Sequence, residues 1–539
     1  MSGMSTLADH LAPSGYRTEL LFLDRGVSVD YGELWERGRS VRSWAYASNA
    51  DSVAMVLSNT EACVTCILGA IRGGLTVVSV PAPPRHGDLD WYRRFVEANC
   101  ELLGTQYLAV DEQYLALVPP LDGTDATSFE AILGRGKAGI ESPEDFQLVQ
   151  FTSGSTSDPK GIQLPGSKVL ANIAAILDRI RPEPGDGTCS WLPLSHDMGL
   201  IGMLLTALAG AGQQWARGAQ IAVMSPESFV KSPNLWLRAC SELGTTITSA
   251  PDFGFRMASQ RADRSLDLSP LRVCITGGES VRAETLETFA SSFHAPGFRE
   301  EAFCPAYGLA EATLAVTLTS PDVCWRELAI DRNALAQGEV EPQSGGVAVV
   351  SAGPPLDGYE ILIESAGSGA KTGAITVKGP SLLERYVGDG GSVVDPLEGF
   401  ATSDVGFLWD QQLYVLGRSD EVFLIGGKKI FATDVELAVC GLTGVYKGRV
   451  AAAQDSYQRL VIFGEVEAET ASSRMKLNRL VNEMRRAIVN RVSTSPSEVV
   501  LLAQHKLPMT TSGKPQKSSA LSRLASGELD VLNRYERTR

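Results

Sequence analysis

Gln150-Phe-Thr152-Ser153-Gly154-Ser155-Thr156-Ser-Asp-Pro-Lys160-Gly161 is the segment of this 539-residue sequence whose residue types say most about chemistry. Small hydroxyl side chains and a glycine let backbone N–H and side-chain O–H groups converge on phosphate oxygens, and Lys160 adds a mobile positive charge. The segment follows LVQF, which reads as a strand, so it would form a phosphate loop at a strand end. The Walker pattern GxxxxGK(S/T) occurs nowhere, and the GSGAKTG run at 367–373 joins two short strands, as a hairpin loop does. Standing alone, Thr152 to Lys160 would as readily be a solvated polar turn.

The elements that must position such a loop follow from the hydrophobic pattern. SVAMVLS, the helical EACVTCILGAIRGG and LTVVSV alternate as βαβ units do, and so do TTITSA, LRVCITGGES and VRAETLETFASSF. This alternation predicts an α/β architecture with a largely parallel sheet. From about Gly346 the pattern changes to VAVVSAG, YEILIES, AITVKG and QLYVLG, which predicts an antiparallel sheet or small barrel ending near Arg418. Beyond it, DVELAVCGL, VAAAQD, RLVIFGEV, the helical SSRMKLNRLVNEMRRAIVNRV and EVVLLAQ form an α+β set of a size that folds on its own, with Gly417 to Asp420 as the hinge.

Composition narrows the function classes. The chain has 48 Lys and Arg against 63 Asp and Glu, a net charge of −15 that repels phosphate backbones, so nucleic acid is not an expected partner. Nine cysteines in a chain of this length read as free thiols in a reducing compartment. Cys63 and Cys66 form a CxxC inside an apolar helical run, and no second Cys or His pair completes a zinc set, so core packing is expected. The N-terminus lacks the basic start and apolar run of a secretory signal, and the apolar stretch Met198 to Gly212 is shorter than the roughly 20 residues that cross a bilayer. It reads as a buried helix, and the chain reads as cytoplasmic without a membrane span.

Five blocks stand in a fixed order: the TSGSTSDPKG loop, Ala306-Tyr307-Gly308-Leu309-Ala310-Glu311, Thr402-Ser403-Asp404-Val405-Gly406, Gly417-Arg418-Ser419-Asp420, and the tail Pro508 to Lys517. Together they resemble the phosphate loop, YGxTE, TGDxG, GRxD and PxTxxGKxxR blocks of the ANL superfamily of adenylate-forming enzymes, over nearly the whole chain. Trp191-Leu-Pro-Leu-Ser-His196-Asp197-Met-Gly-Leu200, the stretch Phe298 to Thr313, and Val80-Pro-Ala-Pro-Pro84 are similar to fatty acyl-AMP ligases in particular. The run Cys324 to Ser344 looks like the insertion those ligases carry. The resemblance implies an N-terminal adenylation domain over 1–418, made of two α/β subdomains and a β-barrel-like subdomain at about 346–418. A small mobile α+β C-terminal domain would cover 419–539.

The implied chemistry is attack of a carboxylate on the α-phosphate of ATP, two anions whose approach requires charge neutralisation. By the resemblance, Glu311 holds Mg²⁺, which prefers one or two carboxylates plus phosphate oxygens and water. Lys514 on the Gly-rich tail bridges the acid and the phosphates, stabilising the transition state electrostatically. Asp404 accepts from the ribose hydroxyls and Arg418 donates to ribose or phosphate oxygens. Tyr307 offers a flat face to adenine between Ala306 and Gly308, with Gly277, Gly278 and Glu279 lining the opposite wall. His196 lies near the acid's carboxylate; with Asp197 adjacent and no GxSxG elbow, it does not read as part of a hydrolase triad. Ser249 to Phe255 occupies the place of the acid-pocket strand.

Two departures bear on the acyl acceptor. Fatty acyl-AMP ligases usually have Lys at the hinge, where this chain has Asp420, and an arginine-containing run after it, where this chain has Leu424-Ile-Gly-Gly-Lys428-Lys429. The leading reading is an aliphatic acid activated as acyl-AMP and passed to the phosphopantetheine thiol of an acyl carrier protein. The alternatives are an acyl-CoA or aryl-acid-CoA ligase using free CoA, and a nucleotide-binding interaction protein without catalysis. The acidic chain offers no evident basic site for the CoA 3′-phosphate.

Overall fold

A computed structural model describes residues 6–537 except 14, 16, 84–88, 136–144, 153–159, 213–219, 365–370, 388–397, 426–427, 493 and 510–514. Strands of three to six residues build its first sheet, in the order Arg385–Val387, Lys160–Pro165, Gln147–Thr152, Thr76–Val80, Ser52–Val56, Tyr107–Val110, Asp125–Ser128. From Gln147–Thr152 to Asp125–Ser128 neighbouring strands run parallel, and Thr76–Val80, Ser52–Val56 and Tyr107–Val110 are nearly continuous in buried residues because helices cover both faces, whereas Lys160–Pro165 and Arg385–Val387 are antiparallel. One of those helices, Glu61–Arg72, starts at Thr60, whose hydroxyl accepts the Cys63 N–H, and is buried at every position from Ala62 to Ile71. Cys63 and Cys66 are therefore core residues, and burial pushes the Cys63 thiol up to about 12. All nine cysteines are free; Cys324 is exposed, Cys440 half-buried and the other seven buried.

The second sheet has eight strands, in the order Ala315–Leu318, Phe303–Gly308, Val273–Thr276, Ile247–Ser249, Thr188–Ser190, Gln220–Val223, Glu19–Phe22, Val27–Asp30. Its middle is parallel and its two outermost pairs are antiparallel. The helix Gly166–Ile180 leaves the first sheet and packs on the second, so one apolar cluster draws on both. The run expected as a single helix differs in winding. Met198–Leu205 is a π-helix that passes into the α-helix Thr206–Gly212, and both the N–H and the hydroxyl of Thr206 reach the Ile201 carbonyl five residues back.

The β-rich part is a four-stranded antiparallel sheet, Glu360–Glu364, Gly373–Lys378, Phe400–Trp409, Gln412–Arg418. Its first two strands are hairpin neighbours, as expected for the connection through 367–373. Its last strand also meets the chain at 351–353, through Ala352 N–H to Leu413 C=O (2.8 Å) and Leu413 N–H to Gly353 C=O (3.1 Å). The Cys324 to Ser344 run supplies the strand Glu327–Ile330, paired with Val347–Val350, and the helix Arg332–Gln337. Leu335 of that helix shares an apolar cluster with Phe431.

After Arg418 come the 3₁₀ turn Ser419–Glu421, the hairpin Val422–Ile425 with Lys428–Phe431, and the helix Ala432–Val439. A four-stranded sheet follows, in the order Val445–Gln454, Leu460–Val466, Glu498–Leu502, Val531–Glu536, with the helices Arg474–Val492 and Lys517–Ser526. Two apolar clusters drawn from Phe423 onward cover its faces.

A buried polar network ties these parts together. Fully buried Asn172, in the helix between the two sheets, donates to Ala315 C=O (2.7 Å) and the Tyr359 hydroxyl (2.8 Å) and accepts from Ala315 N–H (3.1 Å). The Ser381 hydroxyl donates to Ala312 C=O (2.7 Å) and lies within hydrogen-bond reach of Tyr359. Replacing Asn172 by Leu leaves both backbone groups of Ala315 without their side-chain partner in a dry interior. The expected loss is about 2–4 kcal/mol, read as a lowered urea midpoint by tryptophan fluorescence.

Candidate active site

The strand Phe303–Gly308 cannot simply turn back into its antiparallel neighbour Ala315–Leu318, because the chain between them makes an excursion that carries Glu311. Leu309 N–H closes its neck on Leu314 C=O (2.9 Å), and a Cβ on Gly308 would fall 1.8 Å from that same carbonyl oxygen, so only glycine fits there. Thr313 at the far corner takes φ +72°, unusual for a β-branched residue, and its hydroxyl is fixed on Ser381 C=O at 2.7 Å. The excursion is held from outside by the Asn172 network and by Leu383 N–H on the Glu311 carbonyl (2.7 Å).

Glu311 is thereby kept largely out of water, with the Tyr386 hydroxyl donating to its carboxylate at 3.1 Å. Burial pushes its carboxyl above the usual carboxylate range and the nearby Asp404 charge adds to the push, against its own backbone N–H, Tyr386 and Arg418. Asp404 lies on Phe400–Trp409, directly across from Arg418 in the neighbouring strand. The Tyr307 hydroxyl donates to one Asp404 oxygen at 2.6 Å, and burial together with that carboxylate raises the Tyr307 phenol well above its ordinary value. Arg418 also donates from Nε to Asp420 (3.1 Å).

The opposite wall comes from the end of Val273–Thr276. Gly277 sits so close to the next strand that a Cβ would lie 2.6 Å from the Ala306 carbonyl oxygen, which brings the glycine turn beside Tyr307. Gly278 faces Met198, the residue that opens the π-helix after His196 and Asp197. Glu279 sends one carboxylate oxygen to the Phe253 N–H (2.7 Å), at the start of the helix Asp252–Ser259. His196 is half-buried, and its backbone carbonyl accepts from Gly199 and Leu200 to begin the winding. Asn59 holds the preceding loop, donating to Leu192 C=O (2.9 Å) and Met224 C=O (2.8 Å) and accepting from Leu194 N–H (3.2 Å).

Thr152 ends the strand Gln147–Thr152 and Lys160 begins Lys160–Pro165, and the two are backbone partners, so the phosphate segment is the connection of an antiparallel hairpin. Ser153, Gly154, Ser155 and Thr156 lie outside the described residues, as does Lys514. The strand Arg385–Val387 pairs with Lys160–Pro165, and Tyr386 on it is the donor to Glu311, which ties the hairpin's base to the buried carboxylate.

Sequence reasoning missed Tyr386, Asn172, Ser381, Tyr359 and Asn59. The only signal was an asparagine in the apolar helical run of 169–177. Among the described residues no three His, Cys, Asp or Glu side chains gather as a metal cage. The donor set instead fits a ligand that brings its own oxygens: one buried carboxylate for a hard cation, a second carboxylate facing an arginine, and an aromatic face beside a bare glycine turn.

Comparison with known proteins agrees with this geometry. The AMP-binding enzyme family matches residues 8–387. The chain is 31% identical to the medium-chain-fatty-acid acyl-carrier-protein ligase JamA of Moorena producens, over 98% of this chain and 96% of that one. It is 27% identical to a 4-hydroxyphenylalkanoate adenylyltransferase of Mycobacterium tuberculosis, over 91% and 85% of the two chains. A solved structure from a study of fatty acyl-adenylate ligases of E. coli and L. pneumophila superposes with a TM-score of 0.88 at 26% identity, covering 97% of this chain and 98% of that one. With the buried Glu311, the Tyr307–Asp404 pair and the glycine turn all set by the same fold, the chain belongs to the AMP-binding, adenylate-forming enzymes of the ANL superfamily.

Proposed function

We propose that the protein activates an aliphatic carboxylic acid with ATP and passes the acyl group to the phosphopantetheine thiol of an acyl carrier protein. In the first step a carboxylate oxygen bonds to the α-phosphorus and pyrophosphate leaves. In the second the thiol sulfur bonds to the acyl carbon, AMP leaves, and the thiol proton goes to solvent. The observation that carries the reading is the likeness, over nearly both full lengths, to a relative named as a medium-chain-fatty-acid acyl-carrier-protein ligase. The free thiols support a cytoplasmic setting.

The residues divide the work by their chemistry. Tyr307 covers one face of adenine, with Gly277 and Gly278 opposite, and its hydroxyl fixes Asp404, whose remaining acceptor positions take the ribose hydroxyls. Arg418 donates to ribose or phosphate oxygens. Thr152, Ser153, Gly154, Ser155, Thr156 and Lys160 cradle the β- and γ-phosphates, and His196 orients the acid. Mg²⁺, held by Glu311 and phosphate oxygens, would supply neutralisation of the phosphate charge. Lys514 stabilises the charge that develops as the two anions meet. Residues 419–539 turn about Asp420 between the two steps.

Three measurements test this reading. With ATP, Mg²⁺, mixed medium-chain, long-chain and aromatic acids, free CoA and holo carrier protein all present, mass spectrometry should find acyl-carrier product without acyl-CoA. Predominant acyl-CoA would reassign the acceptor. Lys514→Ala should abolish pyrophosphate exchange yet spare thioester formation from premade acyl-AMP; near-normal exchange would remove Lys514 from the site.

Glu311→Gln should cut pyrophosphate exchange on the order of 100-fold while stabilising the ligand-free protein. The sign follows from the raised carboxyl: the folded chain binds a proton here more tightly than the unfolded chain, so the ionised form costs stability at neutral pH. The gain in melting temperature should thus be full at neutral pH, begin to fall as pH drops through the raised value, and vanish below the ordinary carboxylate value of the unfolded chain. A variant that melts below wild type at neutral pH would contradict it.

A further inference from the structure

Lys517 is a lysine where helix electrostatics disfavour one. It is the first residue of the helix Lys517–Ser526, at the end where the backbone dipole repels cations, and its side chain is only 17% exposed. Two carboxylates account for its place: Glu421 at 2.7 Å and Glu436 at 3.0 Å. Glu436 also accepts the Ala452 N–H at 2.9 Å, and Glu421 closes the 3₁₀ turn that directly follows Arg418. One ammonium thus joins the turn after Arg418, the helix Ala432–Val439, and the C-terminal tail.

That tail is closed at its base. Gln516 N–H donates to Pro508 C=O at 2.8 Å, and Met509 pairs with Pro515, so the described chain on the two sides of 510–514 is held together. Another buried carboxylate pins the incoming arm: Glu465, fully buried and paired with Arg449 at 3.3 Å, accepts the Leu507 N–H at 2.9 Å. The outgoing arm has Lys517. Both arms are therefore fixed by carboxylates, the incoming one through a backbone N–H and the outgoing one through an ion pair that leads straight to the segment containing Asp420.

We propose that Lys517, through Glu421 and Glu436, is a positioning residue that anchors the Lys514-bearing segment to the turn after Arg418 and so sets its orientation for adenylate formation. The catalytic half of this statement rests on the function proposed above; the anchoring half does not. Cutting the anchor leaves Lys514 present but loosely aimed, and a displacement on the order of 1 Å in a positioned group costs up to about 100-fold in rate.

The test uses the full-length protein with Lys517→Met, Lys517→Arg and Glu421→Gln. Amide exchange of Gln516 should quicken at least about tenfold in Lys517→Met relative to wild type, with the melting temperature recorded alongside. In the same preparations kcat for pyrophosphate exchange should fall by about 10–100-fold with the KM for ATP within about twofold, and transfer from premade acyl-AMP should change less than about threefold. Lys517→Arg should recover most of the loss, and Glu421→Gln, which keeps the Glu436 pair, should show a smaller version of it. Unchanged Gln516 exchange in both Lys517→Met and Glu421→Gln overturns the anchor. Equal loss of both half-reactions, tracking a drop in melting temperature, overturns the positioning role in favour of a structural one. Faster Gln516 exchange in an enzyme whose wild type activates no acid would leave the anchor standing and remove the function it was assigned to serve.

Discussion

The constraint on which the rest of this structure depends is that the Glu311 excursion leaves the sheet yet stays packed inside the protein, with Ala312 and Thr313 fully buried and Glu311 half-buried. Chain that leaves a sheet loses its ladder hydrogen bonds, and in a dry interior each lost bond must be replaced. Asn172 and Ser381 supply bonds to its backbone, the Tyr359 hydroxyl holds those two side chains together, and Thr313 adds its hydroxyl. These four come from three different places: the helix between the two sheets, the β-rich part, where Tyr359 precedes the first strand and Ser381 follows the second, and the excursion itself. The site is therefore not an ornament on one domain layer. It exists only when the layers have closed on one another, which couples correct folding to a competent carboxylate.

The same closure explains the site's electrostatics. Glu311 and Asp404 are near enough to feel each other, in surroundings dry enough to raise the first carboxyl. The Tyr307 hydroxyl donates to Asp404 and Arg418 stands across from it, so that among the described residues one guanidinium serves two carboxylates. A protein that carries 63 acidic residues adds no long-range compensation.

Much of the architecture was readable in the sequence because its strands are short apolar bursts with helical runs between them. The helix Glu61–Arg72, the strands flanking it and the antiparallel set before Arg418 all stand where the pattern puts them. The ordered blocks led to Tyr307, Glu311, Asp404 and Arg418, which the fold does bring together. What escaped has physical causes. Met198–Leu205 is apolar all round, so no face pattern could reveal its π winding. Tyr386 lies 75 residues from its partner Glu311 and joins no motif. Lys517 reads as one more tail lysine until Glu421 and Glu436 are seen beside it. Glu279 was expected simply to line a wall, and in the fold one of its oxygens is spent on the Phe253 N–H.

The distribution of thiols has a practical side. Seven of nine cysteines are sealed in the core, which leaves Cys324 exposed and Cys440 half-buried. The first lies before the segment Arg418–Glu421 in the chain and the second after it, and Arg282 reaches Cys440 from the earlier part, with Nη1 3.9 Å from the sulfur. The native chain thus holds a pair of thiol handles, unequal in accessibility and placed on opposite sides of its proposed pivot. Two dyes attached there in sequence would turn the unaltered protein into its own distance ruler, reporting the swing of one half against the other during turnover.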